Sequence, residues 1–377
     1  MKHLLVGNGV NIQFDKINYT TKQIVLRILE NCDRDDFPSH IIVNFPYLLK
    51  NYLGLLFLEA RNIINGEYDQ YVSCNAEKAS LAAFKEQYAR ILKTLRMTDI
   101  GFEDYYLIHD LVCHKTKTVN PERFYIREAL RIAYLFAIYN DGAVNHLHSL
   151  YPPAFIDYLK SFNSIFTTNY DSNIDSVTSN KVYHIHGQFD KLAAVYDAES
   201  FRNQLPDAPI KKTHIDPKYS YLYSNALSTH CGEYKEFQLK QYSLANDAVE
   251  KLASAYLQNP RVKHDVDDWT QSENTITANM GHAVLLKVKY PNLEFSDDYH
   301  FCELSSMKGS LDILGLSPWN DYHVFDAINR ADIGLCTYYY HSNDQCERIS
   351  RLLPSMTKNG VLKFSPVDLF WRQMYEG

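Results

Sequence analysis

Two histidines in the segment VYHIHGQFD, at residues 182–190, are the side chains best suited to proton transfer in this sequence. Histidine has a reference pKa near 6.5, so much of it is neutral and able to accept a proton at about pH 7. The alternation of a strand predicts His184 and His186 on one side, with Gly187 permitting a sharp turn. We expect His184 to serve packing or hydrogen bonding. The spacing also suits a metal pair, but no third and fourth ligands accompany it, so no metal is predicted.

Amide and carboxylate side chains follow a second apolar run, in FTTNYDSNID at residues 166–175. Polar side chains at the carboxyl end of a parallel strand point into the crevice where open α/β sheets bind ligands. Thr168, Asn169 and Asp171 are therefore expected to face one cleft. The alternative interpretation is an Asx-rich turn that satisfies its own backbone.

A glycine-rich turn follows the first apolar run, in HLLVGNGVN at residues 3–11. Gly7 and Gly9 have no side chain to block the approach of a phosphate to backbone N–H groups. The full G-x-G-x-x-G pattern is absent, because its third glycine would fall at Ile12. A tight strand-to-helix turn without a ligand is the alternative.

The segment LDILGLSPWNDYH, at residues 311–323, has a fourth turn of this kind. Gly315 ends the apolar run and Ser317 follows it, at the edge of the same predicted cleft. Asn320 and Asp321 either recognise a ribose or only cap the helix that follows.

These turns need a parallel sheet to bring them together, and short apolar runs supply one. The predicted strands are 2–6, 164–167, 182–186, 311–316, 332–338 and 361–364, with helices at about 321–330 and 343–353. The fold class expected is α/β: a Rossmann-like six-stranded parallel sheet with helices on both faces plus large α-helical insertions. The sheet domain comprises 1–16, 155–190 and 300–377. A helical insertion spans 17–154, and a second, mainly helical insertion spans 191–299.

Composition excludes several classes of protein. The 377 residues carry a formal charge of −7, which argues against direct nucleic-acid binding. No apolar stretch reaches the roughly 18 residues of a membrane helix. The apolar run at the N-terminus is too short for a signal peptide. The seven cysteines include no C-x-x-C pair that would indicate a zinc ribbon. We expect a cytoplasmic protein that does not bind membranes.

Taken in order, the motifs GNGVN, TTNYD, HIHG and LGLS resemble those of the sirtuin-like superfamily. The likeness covers about 40 residues of the sheet segments and neither insertion. Sirtuin deacylases carry a zinc held by two C-x-x-C pairs and usually show Gln-Asn-Ile-Asp, whereas this chain lacks such pairs and has Thr-Asn-Tyr-Asp. Both departures are similar to the bacterial sirtuin-like NAD hydrolases of anti-phage defence, in which helical insertions replace the zinc module. Asn11 stands where many relatives have serine.

The resemblance implies a role for each candidate residue in cleaving NAD⁺ to nicotinamide and ADP-ribose. Asn169 would hold the attacking water and a ribose hydroxyl, His186 would act as the base, and Asp171 would bind the nicotinamide carboxamide. Gly7, Gly9 and Asn11 would bind the pyrophosphate. The adenosine half would contact Gly315, Ser317 and either Asn320 or Asp321. The predicted binding residues also include Asn8 and Thr168.

Two other functions stay open at this stage. A nucleotide sensor would bind NAD⁺ without cleaving it and control a partner; retention of Asn169 and His186 argues against it. An NAD-dependent protein deacylase is disfavoured by the missing zinc module. Because a constantly active NAD hydrolase would be toxic, we expect gating by homo-oligomerisation or by a hetero-complex with a sensor or activator encoded nearby.

Overall fold

The computed structural model describes residues 1–38, 46–119, 122–193, 216–226, 244, 247–291, 298–319 and 321–376. Its centre is one sheet of six parallel strands in the order β3-β2-β1-β4-β5-β6. The strands are β1 (Lys2–Val6), β2 (Ser164–Thr167), β3 (Lys181–His184), β4 (Lys308–Leu314), β5 (Asp332–Tyr340) and β6 (Leu362–Pro366). The predicted α/β fold with a six-stranded parallel sheet is confirmed.

The helices vary from single turns to long rods. They are α1 (Gly9–Phe14), α2 (Thr21–Asn31), α3 (Pro46–Ile64), α4 (Asn75–Tyr88), α5 (Asp104–Thr116), α6 (Glu122–Tyr139), α7 (Pro153–Lys160), α8 (247–258), α9 (Pro260–Trp269), α10 (Thr275–Lys289), α11 (Phe301–Ser305), α12 (Tyr322–Arg330), α13 (Asn343–Leu352), α14 (Pro354–Lys358) and α15 (Val367–Glu376). The helices predicted at 321–330 and 343–353 correspond to α12 and α13.

Helices cover both faces of the sheet, as the sequence predicts. Successive side chains of a strand point to opposite faces. Leu4 and Val6 pack with α7 and α15 on one face. Leu5, between them, packs on the other face with α12, α13 and α14. Burial on both faces explains why these strands appear in the sequence as short apolar runs with no polar alternation.

The first insertion forms a helical core of its own, which reaches the carboxyl edge of the sheet. Tyr170 and Phe189, just beyond β2 and β3, belong to this core. A 3-10 segment of the second insertion, Pro217–Tyr223, joins it as well: the rings of Tyr139 and Tyr221 stack at 3.8 Å. The first insertion therefore lies against the end of the sheet where the candidate residues were predicted.

The described part of the second insertion beyond residue 244 is mainly helical. Helices α8, α9 and α10 pack around a small apolar cluster that includes Val249, Val266 and Val284. None of the helices within the described ranges is both long and apolar enough to cross a membrane.

Candidate functional site

A cavity opens at the carboxyl edge of the sheet, where the strand order reverses direction. From the centre, β1-β2-β3 runs one way and β4-β5-β6 the other, which is the order of dinucleotide-binding sheets with a crevice at the reversal. The cavity has a volume of about 140 Å³. The segments that follow four of the strands supply its floor: after β1, Asn8 and, in α1, Asn11; after β2, Thr168, Asn169, Tyr170 and Asp171; after β3, His186 and Phe189; and after β4, Asp321.

The structure brings together seven of the residues predicted from the sequence. Asn8, Asn11, Thr168, Asn169, Asp171, His186 and Asp321 all line the cavity. Gly7, Gly9, Gly315 and Ser317 do not line it, and Asn320 lies outside the described residues. Asp321, predicted to cap a helix or to contact adenosine, is the N-cap residue of α12 but makes no side-chain capping hydrogen bond to the described residues of that helix. Its Oδ1 lies 3.6 Å from Nε2 of His186.

The three predicted glycines serve the contact between two turns. The N–H groups of Gly7 and Gly9 donate to the carbonyls of Leu314 (2.9 Å) and Gly315 (2.8 Å). A Cβ at either Gly7 or Gly9 would lie 2.6 Å from backbone atoms of the β4–α12 turn. Gly315 itself has a φ of +72°, which favours glycine. Because those two N–H groups are used within the protein, a phosphate bound here would need other donors.

Asp171 organises the floor of the cavity through three hydrogen bonds. Its Oδ2 accepts from Asn11 Nδ2 at 2.6 Å, and its Oδ1 accepts from the backbone N–H and Nδ2 of Asn173 at 3.2 and 2.6 Å. Burial raises the pKa of the carboxyl, and the bonds from Asn11 and Asn173 oppose that rise. The network fixes the orientation of both amides, because a carboxylate accepts and does not donate.

Asn11 keeps an unused acceptor at the cavity. Its residue is 3% exposed, and its Oδ1 has no hydrogen-bond partner among the described residues. A buried polar atom without a partner costs free energy and calls for an explanation, such as a bound group. Since Asn11 also lines the cavity, this oxygen suits a ligand that donates an N–H.

Asn169 is positioned by its own backbone. Its N–H donates to Thr167 Oγ1 at 3.0 Å, and its carbonyl accepts from His184 Nδ1 at 3.1 Å. The other ring nitrogen of His184 bonds Asp175 Oδ2, also at 3.1 Å. His184 thus holds the loop that carries Asn169, and does not itself line the cavity.

His186 has partners of its own. β3 ends at His184, so the strand alternation predicted for the two histidines does not extend to His186. Beyond it the chain turns at Gly187, which has a φ of +77°. The Nε2 atoms of His186 and His323 lie 2.8 Å apart, and their rings stack at 5.0 Å. Asp321 Oδ1 lies 3.6 Å from the same His186 nitrogen.

The first insertion supplies the roof of the cavity. Its lining residues are Tyr19, Ile24, Phe102, Glu103, Ile138 and Val144. With Glu103 above and Asp171 and Asp321 below, the described lining contains three carboxylates and neither lysine nor arginine. Aromatic rings and carboxylates together favour a cationic ring as ligand.

Sequence reasoning missed His323 and the roof. His323 follows Asp321 by two residues, in the first turn of α12, so the NDYH end of the fourth motif was a signal for it. No short motif marked Phe102 or Glu103, because they reach the cavity only through the packing of the insertion.

Fold and site together define an α/β protein of Rossmann-like topology with a polar, acid-lined cavity at its topological switch point. Comparison with protein-family models, with curated proteins and with solved structures returned no match.

Proposed function

We propose that this chain is a sirtuin-like NAD⁺ hydrolase, which cleaves the bond between nicotinamide and ribose. The observation that carries the proposal is the convergence of Asn169, Asp171 and His186 on one cavity at the switch point of the sheet. The three residues come from two motifs, TTNYD and HIHG, whose order in the chain resembles the sirtuin-like pattern. Dinucleotides bind across the crevice at this point in sheets with this strand order.

The chemistry of the cavity fits a nicotinamide ring. Its volume of about 140 Å³ is close to the roughly 150 Å³ that accommodates one benzene ring in a protein interior. In NAD⁺ the ring carries a positive charge, which Glu103, Asp171 and Asp321 would stabilise. The carboxamide NH₂ would donate to Oδ1 of Asn11, the buried acceptor without a partner among the described residues.

The bond cleavage needs little covalent work by the protein. The C1′–N bond breaks with its electron pair passing to the nicotinamide nitrogen, and the ribose gains oxocarbenium character. Carboxylates on the floor of the cavity would stabilise this developing positive charge. Water held by the side chain of Asn169 would attack C1′ and release its proton to His186, which leaves nicotinamide and ADP-ribose.

Asp321 would support the proton transfer. Once His186 has accepted a proton, its ring carries a positive charge 3.6 Å from the Asp321 carboxylate. That pair stabilises the protonated base. The hydrogen bond between His186 and His323 sets the position of the His186 ring before the reaction.

The biological setting that we propose rests on the resemblance. Sirtuin-like hydrolases of this kind deplete cytoplasmic NAD⁺ in infected bacteria and thereby abort phage infection. Such an enzyme requires gating, which a homo-oligomer or a hetero-complex with a neighbouring gene product would provide. The first insertion is the natural docking surface, because a movement of its helices would alter the roof of the cavity.

The decisive measurement is nicotinamide release from NAD⁺ by the purified chain, alone and with the products of neighbouring genes. Asn169→Ala and His186→Ala should each lower turnover by about 100-fold or more. His264→Ala is a matched control, because His264 is an exposed histidine on α9, paired with Asp268 at 3.2 Å, away from the cavity. Release that both cavity variants retain would overturn the proposal.

One observation favours a second function, an NAD⁺ sensor without turnover. The Nε2 atom of His186, which would act as the base, already hydrogen-bonds His323. A sensor would give a stoichiometric heat of NAD⁺ binding, lost in Asn11→Ala, with no free nicotinamide under any condition. Release of nicotinamide at more than one equivalent per chain would exclude it.

A further inference from the structure

Three metal-ligating side chains converge beside the cavity, from the turn after β3 and the start of α12. The Nε2 atoms of His186 and His323 are 2.8 Å apart, and Asp321 Oδ1 is 3.6 Å from the first. Each of the three residues offers one ligand atom, and these three atoms all lie within 4.8 Å of one another. Tetrahedral zinc with bonds of about 2.0–2.2 Å places its ligand atoms roughly 3.3–3.6 Å apart. Small side-chain movements would therefore admit an ion.

Burial and charge at this cluster suit a cation. His186 and His323 are 6% and 3% exposed, and the Asp321 side chain is 14% exposed. Two facing Nε2 atoms form a hydrogen bond only when a single proton lies between them. A metal ion would replace that proton and use both nitrogen lone pairs, while the Asp321 carboxylate would offset part of its charge.

The ligand set indicates the class of ion. Two imidazole nitrogens and one carboxylate oxygen are the protein ligands of several catalytic zinc sites, whose fourth position is left for water. Imidazole also suits the other divalent transition metals, whereas Mg²⁺ and Ca²⁺ prefer oxygen ligands. His186 and Asp321 line the cavity, so the fourth position would open toward it.

We propose that His186, His323 and Asp321 form a binding site for a divalent transition-metal ion, best suited to Zn²⁺. Metal binding at this site inhibits the hydrolysis, a consequence that rests on the proposed function. When Nε2 of His186 binds a metal, the one remaining proton of the neutral ring is on Nδ1. Neither nitrogen can then accept a proton from water.

The binding is tested directly, with metal alone and without NAD⁺. The chain is stripped with a chelator and titrated with Co²⁺, followed by visible absorption, and with Zn²⁺, followed by calorimetry. We expect one ion per chain in the wild type, and binding at least about 100-fold weaker in His323→Ala and Asp321→Asn, since loss of even an outer-shell partner costs 10–100-fold. His264→Ala should bind as the wild type does. Absent binding, or binding that both variants retain, overturns the proposal.

A second readout covers the case in which His323→Ala fails to fold. Asp321→Asn keeps the shape of the side chain and removes its charge, so its fold is expected to survive. An ion that binds the native state alone raises the melting temperature by mass action. At the same Zn²⁺ concentration the melting temperature of the wild type should rise more than that of Asp321→Asn; equal shifts in both contradict the site.

The inhibitory consequence has its own experiment. Zn²⁺ is titrated against nicotinamide release, and excess chelator is then added. We expect release to fall to the level of His186→Ala and to recover with the chelator. Full activity at saturating Zn²⁺ would contradict the inhibition but not the metal-binding site. A chain that never releases nicotinamide would overturn the proposed function, while the Co²⁺ and Zn²⁺ titrations still decide the metal site.

Discussion

Asn11 and Asp171 are joined by a hydrogen bond of 2.6 Å from Nδ2 to Oδ2, which links α1 to the turn after β2. Both residues are almost fully buried, at 3% and 4% exposure. The bond aligns two of the motifs that lie about 160 residues apart in the sequence. Because Nδ2 of Asn11 donates to Asp171, Oδ1 of Asn11 is the atom left to accept a hydrogen bond from a ligand. Under the proposed function, Asp171 would act on a bound nicotinamide both through its charge and through the orientation of Asn11.

The pKa of Asp171 gives a first prediction. Burial raises this pKa above its ordinary value of 3.8. Between 3.8 and the raised native pKa, the Asp171 carboxyl keeps a proton in the native state that it has lost in the unfolded chain. Stability therefore falls as pH rises through this interval. The free energy of unfolding of the wild type, minus that of Asp171→Asn, should therefore decrease as pH rises above about 4. Denaturant titrations of both proteins across this range measure it. A difference that increases with pH would mean that the bonds from Asn11 and Asn173 outweigh burial.

His109, inside the first insertion, gives a prediction of opposite sign. Burial lowers its pKa from 6.5 to about 4. Between these values the unfolded chain binds a proton that the native state does not, so stability is lost as pH falls. At 1.36 kcal/mol per pKa unit the loss is about 3 kcal/mol. The neutral ring accepts from the Tyr52 hydroxyl at 2.7 Å and donates to the Arg123 carbonyl at 3.1 Å.

The measurement for His109 is the free energy of unfolding between pH 4 and 6.5. In His109→Gln this free energy should depend less on pH than in the wild type, by about 3 kcal/mol across the interval. The comparison isolates one group, because the other titrating residues are common to both proteins. Equal pH dependence in the two proteins would contradict a neutral buried His109.

The sheet could be predicted from the sequence because its signals are local. Strands buried on both faces appear as continuous apolar runs, and the predicted 2–6 and 164–167 match β1 and β2 residue for residue. The strand ends were predicted less accurately. The predicted strand 182–186 extends past β3, which ends at His184, where the chain turns toward Gly187. Hydrophobic periodicity does not reveal where a strand bends away from its neighbour.

The cavity could be predicted only in part. Its floor is built from turns after strands, and any parallel sheet gathers such turns at one edge, so Asn169, Asp171 and His186 were found from sequence. Its roof depends on how the helices of the insertion pack. Glu103 is the N-cap of α5, about 60 residues before β2, and no periodicity indicates that it lines the same cavity as Asp171. His323 lies at the NDYH end of the fourth motif, but only the fold shows that it contacts His186, 137 residues away.

His184 is predicted to affect stability more than catalysis. Its ring bonds the Asn169 carbonyl and Asp175, both at 3.1 Å, and it lies outside the cavity lining. His184→Ala should lower the free energy of unfolding by about 1–3 kcal/mol, because the buried Asn169 carbonyl loses a donor. Nicotinamide release should fall far less than the roughly 100-fold expected of His186→Ala. A well-folded His184→Ala chain without activity would mean that His184, and not His186, is the general base.

The two glycines of the first turn should tolerate no side chain. In Gly9→Ala the new Cβ would lie 2.6 Å from Gly315 Cα, in a backbone that cannot move without breaking the contact between turns. We expect a loss of about 1–3 kcal/mol in the free energy of unfolding. Gly54→Ala is the matched control: Gly54 lies in α3, and a Cβ there meets no atom within 4 Å. That change should stabilise the chain by roughly 0.5–1 kcal/mol. Unaltered stability of Gly9→Ala would refute the close packing of the turns.

Glu103 in the roof offers a test of the charge that the cavity prefers. Its carboxylate would attract the cationic ring of NAD⁺ but not the neutral ring of NADH. Glu103→Gln should therefore weaken NAD⁺ binding by about 1 kcal/mol, or roughly fivefold in KM, and leave kcat nearly unchanged. The affinity for NADH, measured by calorimetry, should stay the same. Glu347→Gln, on the exposed face of α13, makes the same change in net charge away from the cavity and should alter neither value. Equal weakening of NAD⁺ and NADH by Glu103→Gln would show that Glu103 does not act through the positive charge of the nicotinamide ring.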